Sequence, residues 1–479
     1  MSLFAKLRKN KKAPKILLGL TILLFLIFST YLALNLRMGV SPDSYYHLEV
    51  SQAYSKTLGI PENTPETYKW RDITRIPYLS LWINGRILNL NEMTFNFDEV
   101  TVLRLSNVLT AVGTLILVYL ISKRLIKNKW GQILPVFLLS NTLMFVFLSS
   151  SINYDNLVVL LSTASIYFLL RFLQEPKKLS NTLLIFVFLL LGTLTKTSVL
   201  PLALIIFIIW AVVLFKKKIL RKEFFEQFVT LPNILLTISF FLLVILNFNV
   251  YGVNMITFGR IDPSCTQVLT FNQCLENGVF VRSMYKIPTI FEGGIIEGVK
   301  LVFKGERTGP FRYLLFWTVE MSKKIVGIMG DRSLYMRYEY LPFYFVFFFI
   351  GLYMVLKNRK SLSKEDKALG FIFLSYALVV AYYVNYKAYM RTDWMDLGLQ
   401  GRYIFPVLPV GYVIFSKYFI KIKNTKVFNI LLGFLVAIFL LGNYAYFFAN
   451  VPEDWFIPEP EWMRDVFEEE SEYIELPFE

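Results

Sequence analysis

The sequence predicts an all-α membrane protein with about eleven transmembrane helices and two large loops on one side. Of its 479 residues, 55% are hydrophobic and only 18% are charged, which is not the composition of a water-soluble domain. The apolar residues also occur in runs of about 20, the length that crosses a bilayer as a helix. A net charge of +15 suggests a nucleic-acid partner only if the basic residues are not explained by membrane topology.

Apolar runs separated by polar segments define the candidate spans. We predict them at about 16–36, 101–122, 131–149, 156–173, 182–195, 198–215, 229–249, 341–356, 368–386, 403–419 and 427–448. The fifth run is short for a crossing, which suggests little tilt or a partly re-entrant segment. The first run is too long for a signal-peptide core and no cleavage pattern follows it, so we expect a retained span.

The basic residues predict the orientation of the bundle. With a cytoplasmic N-terminus, 27 of the 50 lysines and arginines fall in cytoplasmic segments, where only five acidic residues accompany them. The segment after residue 450 has eleven acids and one base, and it falls outside. This pattern follows the positive-inside rule, so the charge is topological and a nucleic-acid partner is not expected. We predict a multi-pass membrane protein with a cytoplasmic N-terminus and an extracytoplasmic C-terminus.

Two regions follow from this topology: a transmembrane domain over 1–449 and an acidic extracytoplasmic tail over 450–479. The transmembrane domain carries two outer loops, at about 37–100 and 250–340, with apolar stretches that suit amphipathic helices on the membrane surface. The two cysteines of the chain, Cys265 and Cys274, both lie in the second loop. A disulfide is the natural interpretation in an oxidising compartment, because two cysteines without a nearby histidine supply too few ligands for zinc.

The stretch from Ser41 to Glu49 directly follows the first span and contains the only histidine of the chain. Ser41 suits the N-cap of a helix, which places Asp43 in its first turn and His47 one turn later on the same face. Asp43 then either complements the helix dipole or serves a site. His47 either hydrogen-bonds locally, orienting Asp43, or transfers a proton itself.

Further polar residues lie at the same predicted depth on the outer side. Asp155 lies in the turn between the third and fourth spans, and Lys196 in the turn between the fifth and sixth. Gln400, Arg402 and Tyr403 enter the tenth span from outside. Each residue alone could be an interfacial anchor, but their shared side and depth favour one site. Arg75, in the first outer loop, is a further candidate for phosphate contact or a solvated charge on an amphipathic helix.

This set of residues suits group transfer from a lipid phosphate. A sugar on a polyprenyl phosphate leaves as a phosphate, so one carboxylate to accept the proton of the acceptor and cations to hold the phosphate are sufficient. Asp43 is the predicted base, and Arg402 and Lys196 are the predicted phosphate ligands. Asp155 either caps the fourth span or belongs to the catalytic site, where it contacts the substrate or a metal. No Walker A sequence and no G-x-G-x-x-G after a strand is present, which argues against ATP-driven transport.

Three motifs resemble those of known membrane enzymes: Pro42-Asp43-Ser44-Tyr45-Tyr46-His47, Ser151-Ile152-Asn153-Tyr154-Asp155 and Gln400-Gly401-Arg402-Tyr403-Ile404-Phe405-Pro406. Together with the long first outer loop, they resemble the GT-C superfamily of glycosyltransferases. Protein O-mannosyltransferases and the aminoarabinose transferases of lipid A belong to it. The closest pattern is a prokaryotic branch with P-D-E-x-x-H and Q-G-R-Y-x-x-P motifs. Ser44 stands where that branch has glutamate, which weakens a two-carboxylate metal site there.

The resemblance implies a polyprenyl-phosphate sugar donor and transfer to an envelope glycan, lipid or protein on the outer face of a prokaryotic plasma membrane. It implies no cofactor, with a divalent metal left open and not favoured. The alternatives are a transporter or flippase of lipid-linked sugars, and a non-catalytic scaffold for envelope assembly. The enzyme is favoured over these alternatives if four side chains lie in one place: Asp43, Asp155, Lys196 and Arg402.

Overall fold

The computed structural model describes residues 12–216, 226–284, 294–392 and 394–456. Throughout these residues the regular structure is helical, and the only extended pairing in them is an isolated bridge between Ile328 and Leu334. Helical stretches long and apolar enough to cross a membrane are Ala13–Asn35, Glu99–Leu125, Asp155–Gln174, Thr197–Lys216, Leu231–Phe258, Tyr338–Lys357, Lys364–Arg391 and Thr425–Asn450. Each coincides with a predicted span.

The α-helices are numbered here in chain order. They are α1 (Ala13–Asn35), α2 (Ser44–Ser55), α3 (Pro65–Tyr68), α4 (Leu79–Thr94), α5 (Glu99–Leu125), α6 (Leu134–Ser140), α7 (Leu143–Ser149), α8 (Asp155–Gln174), α9 (Leu179–Thr195), α10 (Leu200–Lys216), α11 (Leu231–Asn247), α12 (Val253–Phe258), α13 (Cys265–Val268), α14 (Phe271–Leu275), α15 (Gly278–Met284), α16 (Gly294–Phe303), α17 (Pro310–Val326), α18 (Leu341–Lys357), α19 (Lys364–Leu378), α20 (Lys387–Thr392), α21 (Leu408–Phe419), α22 (Thr425–Leu440) and α23 (Tyr446–Asn450).

The three remaining predicted spans are shorter or broken. The fifth is α9, an apolar helix of 17 residues. The third is divided into α6 and α7, and the tenth into a short 3-10 turn, Gly401–Ile404, followed by α21. Non-helical backbone is tolerated at membrane depth only when protein covers it. The break at Asn141 and Thr142 meets this condition, because both residues are buried.

The broken segments lie at the centre of the molecule. Every residue of α7 is buried, and its side chains join the largest core cluster together with residues of α1, α5 and α8. Outer spans such as α22 bury only a small part of their surface and leave apolar side chains exposed, as lipid-facing helices do. The central helices are therefore surrounded by protein, and their ends are buried in the largest core cluster.

The long loops gather at one end of the bundle, which we call the loop end. The first loop contains α2, α3 and α4, and the second contains α13 to α17. Cys265 and Cys274 form a disulfide in the second loop. The two loops are joined by buried asparagines: Asn277 donates to the carbonyl of Trp70, and Asn254 donates to the carbonyl of Arg75 at 2.9 Å.

The segment after the last span returns to the loop end. Trp455 is buried against Phe147 and Phe447, with ring centroids 5.9 and 6.2 Å away. Its carbonyl accepts the backbone N–H of Arg37, just after α1. The rest of the predicted acidic tail, after residue 456, lies outside the described residues, as do residues 1–11 and 217–225 with the basic charges counted there.

Candidate active site

The helix after the first span begins later than the sequence predicts. Ser41 is extended, with ψ near 144°, and α2 starts at Ser44 with Asp43 in the N-cap position. Asp43 has φ 57° and ψ 23°, the left-handed conformation that aspartate adopts more readily than most residues. Its side chain does not cap the helix. The prediction that Ser41 is the N-cap and that Asp43 lies in the first turn is therefore wrong. Asp43 itself occupies the N-cap position, and its carboxylate points to another partner.

That partner is Arg402, which begins a chain of alternating charges. The Nη2 of Arg402 donates to Oδ2 of Asp43 at 2.9 Å, and its Nε lies 3.5 Å from Oδ2 of Asp155. The other oxygen of Asp155 accepts from Nζ of Lys196 at 2.6 Å. The four residues come from four separate segments, so the convergence predicted from their shared depth is present in the structure.

Exposure distinguishes the four members. The side chains of Arg402 and Asp155 are 6% and 5% exposed, and that of Lys196 is 14% exposed. The side chain of Asp43 is 48% exposed. Asp43 is thus the member open to a molecule that approaches the loop end, while Asp155 neutralises the two buried cations.

The turn before α8 fixes the position of Asp155. Asn153 and Asn156 both donate to the carbonyl of Leu148, at 2.7 and 2.9 Å. Asn107 of α5 donates to the carbonyl of Ser151 at 2.8 Å. The backbone after α7 is therefore bound from both sides, as buried polar backbone requires.

Lys196 and Arg402 are positioned by the ends of their own segments. Lys196 lies directly after α9, where its ammonium sits over the rings of Tyr154 and Tyr403 at 4.2 and 5.3 Å. A Cβ on Gly401 would lie 2.4 Å from the carbonyl oxygen of Lys324, so glycine allows the turn to approach α17. Gln400 accepts the Nε of Arg402 at 2.6 Å, which fixes the guanidinium plane.

His47 lies behind the ion pairs rather than among them. It is 1% exposed, and its ring meets Tyr154 edge to face at a centroid distance of 4.5 Å. Its Nε2 is buried and has no hydrogen-bond partner among the described residues. Burial lowers the pKa of His47 to about 4, despite the nearby charges of Asp43 and Asp155. His47 is therefore neutral at pH 7.

The pKa of Asp43 reflects two opposing effects. Desolvation raises it, but the positive charge of Arg402, its hydrogen bond to the carboxylate and the charge of Lys196 lower it. The pKa of Asp43 therefore lies below its ordinary value, and the residue is a carboxylate at neutral pH.

Not every predicted site residue joins the cluster. The guanidinium of Arg75 lies over the ring of Phe258, 6.0 Å from its centroid, and its backbone N–H donates to Asp72. Tyr154 and Asp331 are additional neighbours that sequence reasoning did not single out. Asp331, from the second loop, lies near enough for desolvation and the charge of Asp43 to raise the pKa of its carboxyl group to about 6. Nothing local marks it, since it meets Asp43 only through tertiary folding.

A metal site is not evident in this arrangement. Across the described ranges, no group of three or more histidine, cysteine, aspartate or glutamate side chains is placed to hold a metal ion. Asp155, which could contribute a ligand, already has Lys196 and Arg402 as partners. The donor set around Asp43 therefore gives no support to a resident metal.

The chain shares its fold with solved membrane enzymes. ArnT from Cupriavidus metallidurans bound to undecaprenyl phosphate matches with a TM-score of 0.52 at 11% identity, over 89% of this chain and 64% of ArnT. The archaeal oligosaccharyltransferase AglB from Archaeoglobus fulgidus, in complex with an inhibitory peptide and a dolichol-phosphate, matches with a TM-score of 0.51 at 14% identity. That match covers 97% of this chain and 62% of AglB.

These matches define the class of the protein as a polytopic membrane protein with the GT-C fold, which confirms the predicted fold class. Residues 78–246 also match the model of a family described as dolichyl-phosphate-mannose-protein mannosyltransferase. No curated protein sequence matches the chain. The chain spans less than two thirds of the length of ArnT or AglB.

Proposed function

We propose that the protein is a membrane glycosyltransferase that takes a sugar from a polyprenyl-phosphate donor and passes it to an envelope acceptor at the loop end. The observation that carries this proposal is the chain of ion pairs from Asp43 to Lys196. It places one accessible carboxylate beside two cations, which is what transfer from a lipid phosphate needs. The fold match supports it, since the matched ArnT binds undecaprenyl phosphate and the matched AglB a dolichol-phosphate.

Asp43 is the base in this proposal. It is the most exposed member of the cluster, and its carboxylate receives the proton of the acceptor as the sugar–oxygen bond forms. The bond between the sugar and the phosphate breaks at the same centre, and polyprenyl phosphate leaves with the bonding electron pair. Asp155 is a less suitable base, because it is buried and held by Lys196 at 2.6 Å.

Arg402 links donor binding to the strength of the base. Its guanidinium holds Asp43 before the donor arrives, which keeps the pKa of Asp43 low. A phosphate that binds Arg402 competes with Asp43 for the same positive charge. The carboxylate then becomes a stronger base when the donor is bound, so proton transfer is coupled to donor binding.

Lys196 supplies the second positive charge of the cluster for binding the phosphate of the donor. It is fixed by Asp155 and by the rings of Tyr154 and Tyr403, and Tyr403 lies next to Arg402 in the chain. Transfer on the outer face of the membrane belongs to the same proposal and rests on the positive-inside pattern. The assignment to a prokaryotic plasma membrane rests on the resemblance of the sequence motifs. Transport by a flippase is less well supported, because the charged residues of the cluster gather at one end of the bundle.

The test is binding of labelled undecaprenyl phosphate to the full chain in nanodiscs, with undecaprenol as the ligand that lacks the phosphate. We expect wild type to prefer the phosphate and R402K to bind it about tenfold more weakly, because lysine lacks the planar fork of arginine. D43N is expected to bind at least as tightly as wild type, since Asp43 competes with the phosphate for Arg402.

The matched control is R71K, at an exposed arginine of the first loop that lies 3.5 Å from Asp262. Equal binding of undecaprenol and its phosphate by wild type would contradict the proposal. So would an R402K variant with unchanged affinity.

A further inference from the structure

Arg402 lies at the end of a segment that is not helical until its last residues. We define residues 395–402 as the 395–402 segment. It begins as a turn that ends at Gly398, and it becomes helical only at Gly401. Gly398 has φ 70°, a left-handed conformation that favours glycine. The ion pairs of the cluster need the guanidinium of Arg402 in one place, which the local structure of this segment does not fix.

Helix α17 runs along the 395–402 segment and contacts it at both ends. The hydroxyl of Tyr313 donates to the carbonyl of Met395 at 3.4 Å. Further along the helix, a Cβ on Gly401 would lie 2.4 Å from the carbonyl oxygen of Lys324. Tyr313 and Lys324 are both buried, and they lie about three helical turns apart on one face of α17. This face is therefore a support for the segment that leads to Arg402.

Asn385 makes the contact in the middle of the segment. Its Nδ2 donates to the carbonyl of Gly398 at 2.9 Å, and its Oδ1 accepts from the indole N–H of Trp317 at 3.0 Å. Trp317 lies on the same buried face of α17, one turn after Tyr313. Asn385 is 1% exposed. A buried amide that is bonded on both sides holds its two partners together, because breaking either bond leaves a buried polar atom unpaired.

Asn385 belongs to an uncommon stretch of helix. Residues Val379–Tyr386 form a π-helix between α19 and α20. π-helical turns are rare and are found frequently at functional sites. The last residue of this stretch, Tyr386, donates from its hydroxyl to the carbonyl of Thr308 at 3.1 Å, just before α17. The π-helix therefore connects α17 with the 395–402 segment.

We propose that Asn385 is a positioning residue for donor binding: its amide ties the carbonyl of Gly398 to α17 and thereby fixes the place of Arg402. The inference rests on the proposed function, in which Arg402 binds the phosphate of the donor. Gly398 lies two residues before Gln400, whose side chain accepts from Nε of Arg402 at 2.6 Å. A displaced Gly398 moves the acceptor that fixes the guanidinium plane, and a misplacement of about 1 Å is enough to impair a site. Asn385 acts through this backbone and not by touching the donor.

The first test is binding of labelled undecaprenyl phosphate to N385L in nanodiscs, again with undecaprenol as the ligand that lacks the phosphate. Leucine has nearly the shape of asparagine but neither its donor nor its acceptor. We expect folded N385L to bind undecaprenyl phosphate about tenfold more weakly than wild type, because the phosphate contact depends on Arg402. Its affinity for undecaprenol should equal that of wild type. A purely structural asparagine would change stability and leave the preference for the phosphate intact.

The matched control is N443L. Asn443 is 0% exposed, belongs to the π-helical stretch Leu441–Ala445 and donates to the carbonyl of Ser140 at 3.5 Å. Ser140 ends α6, which carries no residue of the ion-pair cluster. N443L therefore also loses a buried asparagine, but it should bind undecaprenyl phosphate as wild type does.

Hydrogen exchange of the ligand-free protein tests the same positioning without any donor. Two backbone N–H groups near Arg402, those of Leu399 and Tyr403, donate to carbonyls within the region at 3.0 Å. In N385L, peptides that cover 397–405 should exchange about tenfold faster than in wild type, because the region opens more often. In N443L these peptides should exchange as in wild type.

W317F tests the same link from α17 and replaces N385L if that variant does not fold. Phenylalanine removes the indole N–H that Asn385 accepts and leaves the amide opposite Gly398. Exchange over 397–405 should rise by about threefold, less than in N385L, because one of the two bonds remains. The two side chains act through one chain of hydrogen bonds, so W317F combined with N385L should exchange no faster than N385L alone.

The outcomes separate this inference from the proposed function. Wild-type exchange over 397–405 in N385L, or in W317F where N385L does not fold, overturns the inference. Wild-type affinity of N385L for undecaprenyl phosphate also overturns it, and so does an equal loss of affinity in N443L, since any buried asparagine would then have the same effect. Equal binding of undecaprenol and its phosphate by wild type instead overturns the proposed function, whatever the exchange of N385L shows.

Discussion

At the scale of single residues, the two carboxylates of the candidate site, Asp155 and Asp43, have different roles. Asp155 is 5% exposed and lies between Lys196 and Arg402, so it acts as the counter-ion of both. Asp43 is 48% exposed and meets only the outer side of Arg402. The sequence predicted both residues from their depth but could not separate their roles, because burial is decided by the packing of other segments.

The first prediction follows from this division. D155N removes the counter-ion of two buried cations, so we expect it to lower the free energy of unfolding by about 3–5 kcal/mol. D43N removes a half-exposed partner, and the thermal stability of that variant should stay close to wild type. Thermal unfolding of both variants in one detergent measures the difference. Equal stability of D155N and wild type would show that Asp155 is not the structural counter-ion.

The second prediction concerns His47. Its pKa is lowered to about 4 by burial, so the unfolded chain takes up a proton near pH 6.5 and the folded chain does not. Stability should therefore be unaffected by His47 above pH 6.5 and fall as pH decreases toward 4. The loss amounts to roughly 2–3 kcal/mol by pH 4.5 at about 1.4 kcal/mol per pH unit.

Unfolding of wild type and H47N across this pH range isolates the effect, because other groups titrate in both. The chain has one histidine, so a single imidazole signal in NMR also reports the pKa directly. A His47 that titrates near 6.5 would contradict the buried, neutral imidazole.

At the scale of elements, hydropathy locates the helices but not their breaks. Eight long helical stretches coincide with predicted spans because an apolar run is a local property of the chain. The third and tenth predicted spans are broken, at Asn141–Thr142 and between Ile404 and Leu408. Both segments are buried in protein. The sequence of a buried broken helix is as apolar as that of an intact one, so hydropathy does not reveal the break. The late start of α2 was missed for a similar reason, since the contact of Asp43 with Arg402 replaces a local cap.

The return of the chain after the last span gives the third prediction. Trp455 is 1% exposed and fills the space between Phe147 and Phe447. W455A leaves a cavity there and should lower the free energy of unfolding by about 3–5 kcal/mol. It should also lower sugar transfer, because the neighbouring Asp454 forms an ion pair with Arg332 of the second loop.

W394A is the matched control, since Trp394 is 61% exposed and its loss opens no cavity. Both variants are compared with wild type by thermal unfolding in the same detergent. A W455A protein as stable as W394A would mean that the terminal segment does not hold the loop end together.

At the scale of the whole molecule, the site exists because four distant segments end at the same level. Asp155 begins α8, Lys196 follows α9, and Arg402 lies in the 3-10 turn before α21. Asp43 lies just after the first span, α1. Membrane topology alone predicted this coincidence, since alternating spans bring every second connection to one side. Topology could not predict the turn of Arg75 toward Phe258, because it depends on how the two loops pack.

The central claim is that Asp43, at the loop end, accepts a proton during transfer of a sugar from a lipid phosphate. The most direct measurement is release of polyprenyl phosphate from a panel of polyprenyl-phosphate hexoses by the full chain in proteoliposomes, with envelope material of the producing cells as acceptor. We expect D43N to reduce this release by about 10²- to 10⁴-fold, the usual contribution of a general base. E306Q, at an exposed acid of the second loop, should match wild type. Release by D43N within twofold of wild type would contradict the account.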